Sequence, residues 1–382
     1  MLPNEDSLVV EYGRVGAGGF QTTTYPLPKY DSLLRSKLKK GYVDRTDLVS
    51  DLIVKEKPKA KQYIDIDSKS VAEIVDRLQL MARKAISDNY TISSNKVTQA
   101  MVDEAQSVLY ELTTIDDLEL FNKTLINLFS VIPRKMGKVA NFLANSLDDR
   151  GKIILAEQDL LDVMRGQVVQ HATIDESDEP EAEYQMTILE ALGLRFAEVD
   201  ESDVTRIKKQ LGSCANQYRC AWNVENIKTN ENYIALLSRE EISVTKLLWH
   251  GSRNENWWSI INSGLVLKPT NAVITGKMFG YGTYFATKAR KSVGYTSLSG
   301  SYWAKGKSTS AFMGLYDVAY GKPFDVHSFD SRYNRLNYDE LQKFMPGANC
   351  LHAHEGQMLR NDEIIVYKED QTTIKYLVEI SD

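Results

Sequence analysis

Between residues 67 and 172 apolar side chains recur three and four positions apart, and glycine and β-branched clusters are sparse. That period gives each helix one apolar face, and such faces must be buried against one another. The segment is therefore expected to be a helical bundle. Val71, Ile74, Val75, Leu78 and Met81 mark a first helix, with Ser70 as its cap. Val97, Met101, Val102, Ala105, Val108, Leu109 and Leu112 mark a second over 95–112. A third is expected over 117–129, stopping before Pro133, and a fourth over 151–169. Residues 173–183 are acidic around Pro180 and read as a solvated linker or loop.

From Tyr184 the pattern changes. Short apolar or β-branched runs alternate with glycine-containing turns, which predicts strands at 186–192, 246–249, 283–286, 311–319, 364–367 and 373–380. Helices are expected at 202–212 and 254–263, the second stopped by Gly264. The last two strands are expected to form a hairpin across Lys368-Glu369-Asp370. At the other end, 8–12 and 20–25 read as a hairpin around the glycine turn of 14–19, followed by a helix over 30–40 that Gly41 stops. Residues 51–62 have the Lys/Glu/Pro composition of a linker. The fold class expected is multidomain α+β: a small β-rich piece at 1–50, an all-α bundle at 67–172 and an α+β domain at 184–382.

Composition narrows the setting. A net charge of −6 argues against a surface coated in nucleic acid but leaves room for one basic face. The three cysteines (Cys214, Cys220, Cys350) contain no Cys-x-x-Cys pair, so neither a disulfide framework nor a zinc pattern is expected and a reducing, intracellular compartment fits. No apolar run approaches a membrane span, and the acidic opening residues do not read as a secretory signal. The glycines from Gly13 to Gly18 open like a phosphate-binding loop, but Gly19-Phe20 stands where lysine and serine or threonine are required. His352-x-His354-Glu355 has ligand spacing. With no third ligand in sight, it reads as surface histidines and no metal is expected.

Three segments carry chemistry: Leu247-Leu248-Trp249-His250-Gly251-Ser252-Arg253; Gly276-Lys277-Met278-Phe279-Gly280-Tyr281-Gly282-Thr283-Tyr284-Phe285-Ala286 with Lys291, Ser292 and Tyr295; and Asn361-Asp362-Glu363-Ile364-Ile365-Val366-Tyr367. Taken singly, His250 and Tyr284 could be core residues and Glu363 a surface acid. In this order and spacing they closely resemble the catalytic domain of the poly(ADP-ribose) polymerase family. The resemblance implies an ADP-ribosyltransferase fold at 184–382 with His250, Tyr284 and Glu363 as its catalytic triad. It implies NAD+ as substrate, bound by His250, Gly251, Ser252, Tyr284, Ala286, Lys291, Ser292 and Tyr295, and no metal. Residues 67–172 resemble that family's helical regulatory domain. Tyr12-Gly13-Arg14-Val15-Gly16 resembles part of a WGR domain, with Tyr12, Arg14, Lys37, Lys39 and Lys40 as the implied contacts to DNA; a solvated basic face is the competing reading of the lysines.

Elementary chemistry agrees with the resemblance. A planar cationic nicotinamide suits the faces of Tyr284 and Tyr295, each stack contributing about 0.5–1.5 kcal/mol. Gly251 lets the backbone approach the carboxamide, and Ser292 offers a hydroxyl. By resemblance, His250 bonds the 2′-hydroxyl of the adenine-side ribose. Glu363 would stabilise the charge that develops as nicotinamide leaves, and by resemblance would also orient an acceptor hydroxyl. Lys291 would assist on the nicotinamide side. Val266 stands where the family often has arginine, which weakens one expected contact to NAD+. The resemblance further implies broken or nicked DNA and protein acceptors, the chain itself included, as partners, and a nuclear location in a eukaryotic cell. Mono-ADP-ribosylation, or a catalytically inactive scaffold that binds DNA ends or ADP-ribose, remains open.

Overall fold

A computed structural model describes residues 2–3, 7–12, 21–42, 44, 63–175, 186–267, 278–298 and 308–382. At the N-terminus β1 (Leu2–Pro3), β2 (Ser7–Tyr12) and β3 (Gln21–Pro26) form an antiparallel sheet in that order. Helix α1 (Tyr30–Lys39) follows, and Gly41 turns the chain with φ +83°. The expected glycine turn, Arg14 within it, and the linker at 51–62 lie outside the described residues.

The bundle consists of α2 (Lys69–Asn89), α3 (Gln99–Leu112), α4 (Leu118–Val131) and α5 (Arg150–Asp175). Thr98 and Asp117 cap α3 and α4 through their side-chain oxygens. Ser68, not Ser70, caps α2, its Oγ accepting from Val71 N; Ser70 Oγ instead accepts from Trp222 Nε1 at 3.1 Å. Helix α5 begins about where expected but runs into the acidic stretch as far as Asp175. Inside the bundle Arg134 and Glu157 form a buried ion pair at 3.2 Å.

Residues 186–382 build a nine-stranded mixed sheet. Its strands are β4 (Leu194–Glu198), β5 (Tyr218–Asn226), β6 (Thr245–Gly251), β7 (Thr283–Ala286), β8 (Ser310–Ala319), β9 (Pro323–Val326), β10 (Cys350–Ala353), β11 (Glu363–Val366) and β12 (Thr372–Ser381). They lie in the order β4-β5-β12-β8-β6-β7-β11-β10-β9, and only β9 and β10 run parallel. Around the sheet are α6 (Ile188–Ala191), α7 (Glu201–Leu211), α8 (Ile227–Arg239), α9 (Trp257–Ser263), α10 (Ala289–Val293) and α11 (Tyr338–Phe344).

Two expectations fail here. Residues 186–192 hold the short helix α6 rather than a strand, because Thr187 and Glu190 close a capping box around its first turn. The last two strands are not a hairpin: β11 lies between β7 and β10, and β12 between β5 and β8. The 3-10 turn Glu369–Gln371 carries the chain from one part of the sheet to the other.

The sheet is nearly divided in the middle. Strand β6 pairs with β8 along its whole length, but meets β7 only through Trp249 opposite Ala286. The bundle packs on the β4-to-β6 part. Val71, Leu78 and Met164 share one buried cluster with Trp222, Trp257, Trp258 and Phe285. Polar contacts reinforce it. Arg77 donates to both carboxylate oxygens of buried Glu379 on β12, at 3.0 and 2.8 Å. Ser259 Oγ donates to Asp162 O at 2.6 Å, and Trp258 Nε1 to Gln170 Oε1 at 2.8 Å. Asp162, Gly166 and Gln170 are four apart, so α5 presents one stripe to α9. A Cβ on Gly166 would fall 2.2 Å from Ser259 Oγ and 2.5 Å from its Cα.

Candidate active site

The gap between β6 and β7 opens into a cavity of about 370 Å³. His250 and Gly251 end β6, on one side of it. His250 Nδ1 donates to the Tyr284 carbonyl across the gap at 3.0 Å. A carbonyl can only accept, so Nδ1 carries the proton, and in the neutral ring Nε2 is the acceptor. Gly251 has no room for a side chain, since a Cβ would lie 2.2 Å from Ser292 O. Ser252 Oγ accepts from Asn256 Nδ2 at 3.0 Å.

The other side is β7 with β11. Tyr284 Oη accepts from Phe279 N at 2.9 Å and donates to Gly280 O at 3.2 Å, which pins the ring; burial pushes its phenol well above the usual value. Gly280 makes this possible with φ +72°, against the backbone of Leu336. Strand register then sets Glu363 opposite Ala286 and Ile365 opposite Tyr284. Glu363 is buried, and its Oε1 is in contact with Lys291 Nζ, delivered by α10. Ser292, on the same helix, is 3% exposed, whereas Tyr295 just beyond it is about half exposed.

All nine residues singled out in this part of the chain line the one cavity: His250, Gly251, Ser252, Tyr284, Ala286, Lys291, Ser292, Tyr295 and Glu363. Val266 lines it too. Sequence reasoning missed the far wall, where Leu155, Asp159, Asp162 and Arg165 of α5 complete the lining. Only their helical spacing onto one face hinted at them. The implied DNA contacts meet in part. Lys37 Nζ lies 5.7 Å from the Tyr12 ring centre and 4.8 Å from that of Tyr42, and Lys39 and Lys40 are exposed at the same helix end. His352 is not a surface residue: it is 8% exposed on β10.

The fold and this cavity, together with the comparisons that follow, make the chain an enzyme that transfers ADP-ribose from NAD+. The family model for the poly(ADP-ribose) polymerase catalytic domain matches residues 183–382. The poly(ADP-ribose) polymerase-like protein 100L of Invertebrate iridescent virus 6 is 30% identical over 190 residues, 48% of this chain and 97% of that protein. Human poly(ADP-ribose) polymerase 2 is 30% identical over 169 residues, which cover 27% of its length. The mouse protein mono-ADP-ribosyltransferase PARP3 is 25% identical over 293 residues, 66% of this chain and 52% of that protein. The chain belongs to the poly(ADP-ribose) polymerase family. Among the described residues no helix is long and apolar enough to cross a membrane.

Proposed function

We propose that the chain adds ADP-ribose to protein acceptors, itself included, and extends it into polymer, with access to NAD+ governed by the helical bundle and stimulated by DNA breaks. The convergence of His250, Tyr284 and Glu363 on one cavity carries this reading. Tyr284, held by two hydrogen bonds, offers a fixed aromatic face to the nicotinamide, and Tyr295 a second. The backbone of Gly251 and the Ser292 hydroxyl take the carboxamide. Nε2 of His250 accepts from the adenine-side ribose 2′-hydroxyl.

Lys291 engages Oε1 of Glu363, and Oε2 is the oxygen left for the nicotinamide ribose hydroxyl. As the glycosidic C–N bond breaks, nicotinamide leaves neutral with the bonding electron pair. The carboxylate stabilises the positive charge left on the ribose. The acceptor oxygen bonds to the same carbon, and its proton passes to Glu363 or to water. Glu363 favours elongation over single transfer because a carboxylate there can polarise the hydroxyl of an attached ADP-ribose. The leaving group is already cationic in NAD+, so these residues supply what the step needs.

Helix α5 closes the cavity with Asp159, Asp162 and Arg165, which supports a gating role for the bundle. The Tyr12–Lys37 pairing beside Lys39 and Lys40 supports DNA contact by the N-terminal sheet and α1. A nuclear place in a eukaryotic cell follows from that reading.

The test is incorporation of labelled NAD+ by the full chain, with and without nicked duplex DNA, beside Glu363→Gln. A DNA-stimulated ladder on a denaturing gel, reduced about 10²–10⁴-fold in the variant, is expected. A single shifted band would favour mono-ADP-ribosylation, and labelling indifferent to DNA would remove the sensor. Folded protein that neither labels nor releases nicotinamide would leave a scaffold.

A further inference from the structure

Three of the chain's five histidines lie together, on the opposite side of β11 from β7. In the parallel pair β9–β10, Asp325 is beside His352, and in the antiparallel pair β10–β11, His352 is opposite Ile364. Side chains alternate along strands, so His327, His354 and Asp362, each two residues further along, fall on the same face. Further bonds hold the chains together past the strand ends: His354 N donates to Val326 O at 2.9 Å, backbone to backbone, and Glu355 N to the Asp362 side chain at Oδ1 at 2.7 Å. The rings of His352 and His354 stack at 3.9 Å, and those of His354 and His327 at 4.3 Å.

The donor atoms are already close. His354 Nε2 is 2.7 Å from Asp325 Oδ1, and ligand atoms of Asp325, His352 and His354 all lie within 4.8 Å of one another. The Tyr320 hydroxyl holds His352 Nδ1 at 2.8 Å. That leaves Nε2 buried, 3.4 Å from Asp362 Oδ2 and making no hydrogen bond. A buried polar atom without a partner costs about 1–3 kcal/mol, and coordination would satisfy this one. Nε2 faces Asp362, whereas Asp325 Oδ1 stands 3.7 Å from Nδ1, so Asp325 must turn toward Nε2 to share an ion with it; an imidazole fixed through one nitrogen with the other turned to a carboxylate is how ligating histidines are commonly oriented.

We propose that Asp325, His352 and His354, with Asp362 as fourth ligand, form a binding site for a divalent first-row transition metal, Zn2+ being the best match. Two imidazoles and two carboxylates suit that ion's preference for nitrogen and oxygen donors and neutralise its charge. Zn2+ bound at about 2.0–2.2 Å sets tetrahedral donors roughly 3.3–3.6 Å apart. Asp325 is exposed and His354 half-buried, so closing to that spacing is asked of their side chains while buried His352 stays fixed. The ion takes no part in the transfer of ADP-ribose. It ties β9, β10 and the start of β11 together at Asp362, the residue before Glu363.

Co2+ titrated into the chelator-treated full chain tests this, since four-coordinate Co2+ gives strong visible bands. One equivalent is expected to bind, to be displaced by Zn2+, and to raise the melting temperature. His354→Gln and Asp325→Asn change solvent-accessible side chains and should keep the wild-type circular dichroism. Each should weaken binding by roughly tenfold or more. No visible bands in the wild type, or bands that survive both substitutions in folded protein, would overturn the proposal.

Discussion

A methyl group added at Gly251 would meet the carbonyl of Ser292 at 2.2 Å, and backbone cannot swing aside as a side-chain end can. Gly251→Ala should therefore push α10 away from the end of β6, at a cost of about 1–3 kcal/mol in stability. Lys291 moves with α10, so the same variant should lose NAD+ affinity as well as rate, measurable as a raised KM beside a lowered kcat. Lys291 can be tested directly. Its side chain is 15% exposed and that of Glu363 12%, so the pair is largely shielded from water. Lys291→Met leaves the buried carboxylate without its partner. About 1.5–3 kcal/mol of lost charge-assisted bonding corresponds to roughly one to two powers of ten in rate. Lys291→Arg should restore part of it, an outcome to be read from initial rates of nicotinamide release.

Local signals in the sequence marked most of the elements and the parts of the cavity wall that β6, β7, β11 and α10 supply, because glycine turns, helical periods and short motifs are local properties. The strand carrying Tyr284 falls where the short apolar and β-branched runs put it, and those carrying His250 and Glu363 extend one or two residues past the expected ends to include them. The sequence reading has no strand at β5 and no helix at α8, nine and thirteen residues long; the other misses are non-local or short. The Thr187–Glu190 box outweighed the apolar run around it, making α6 a helix. Strands β9 and β10 are four residues each, and their pairing joins Asp325 to His352 across 27 positions, so the metal-ligand set could not be read from the His352–His354 spacing alone. The contact of α2 with β12 is equally distant. Burial opposes ionisation of Glu379, but its bonds to Arg77 prevail and hold the carboxyl below its ordinary value. A depressed folded pKa contributes stability that is present above the unfolded value, about 4.3, and is lost as pH falls through the folded one. Unfolding midpoints measured below pH 4.3 should thus drop less steeply in Arg77→Ala than in wild type. At neutral pH that variant should be destabilised by about 1–3 kcal/mol, less than for a fully buried pair because Arg77 is 44% exposed.

Bundle and catalytic sheet share one apolar cluster, so they are expected to unfold together, and loosening the bundle is a better probe of gating than removing it. Gly166→Ala does this where α5 lies against Ser259 of α9 and a Cβ has no space. If α5 restricts NAD+, the variant should label itself faster without DNA and respond less to it; unchanged basal labelling in folded protein would speak against a gate. The single pair Trp249 and Ala286 then takes on a further meaning. With so little backbone ladder joining β6 to β7, the two parts of the sheet are expected to act as jaws, hinged where the His250–Tyr284 hydrogen bond and the shared apolar cluster join them. His250 is on one and Tyr284 with Glu363 on the other, so the grip on a substrate is set by the angle at which they stand. The bundle is bolted to one jaw through Glu379 and Trp222, and the histidine cluster stiffens the other. Pressure on the outer face of the bundle or on the histidine cluster is therefore expected to widen or narrow the bite.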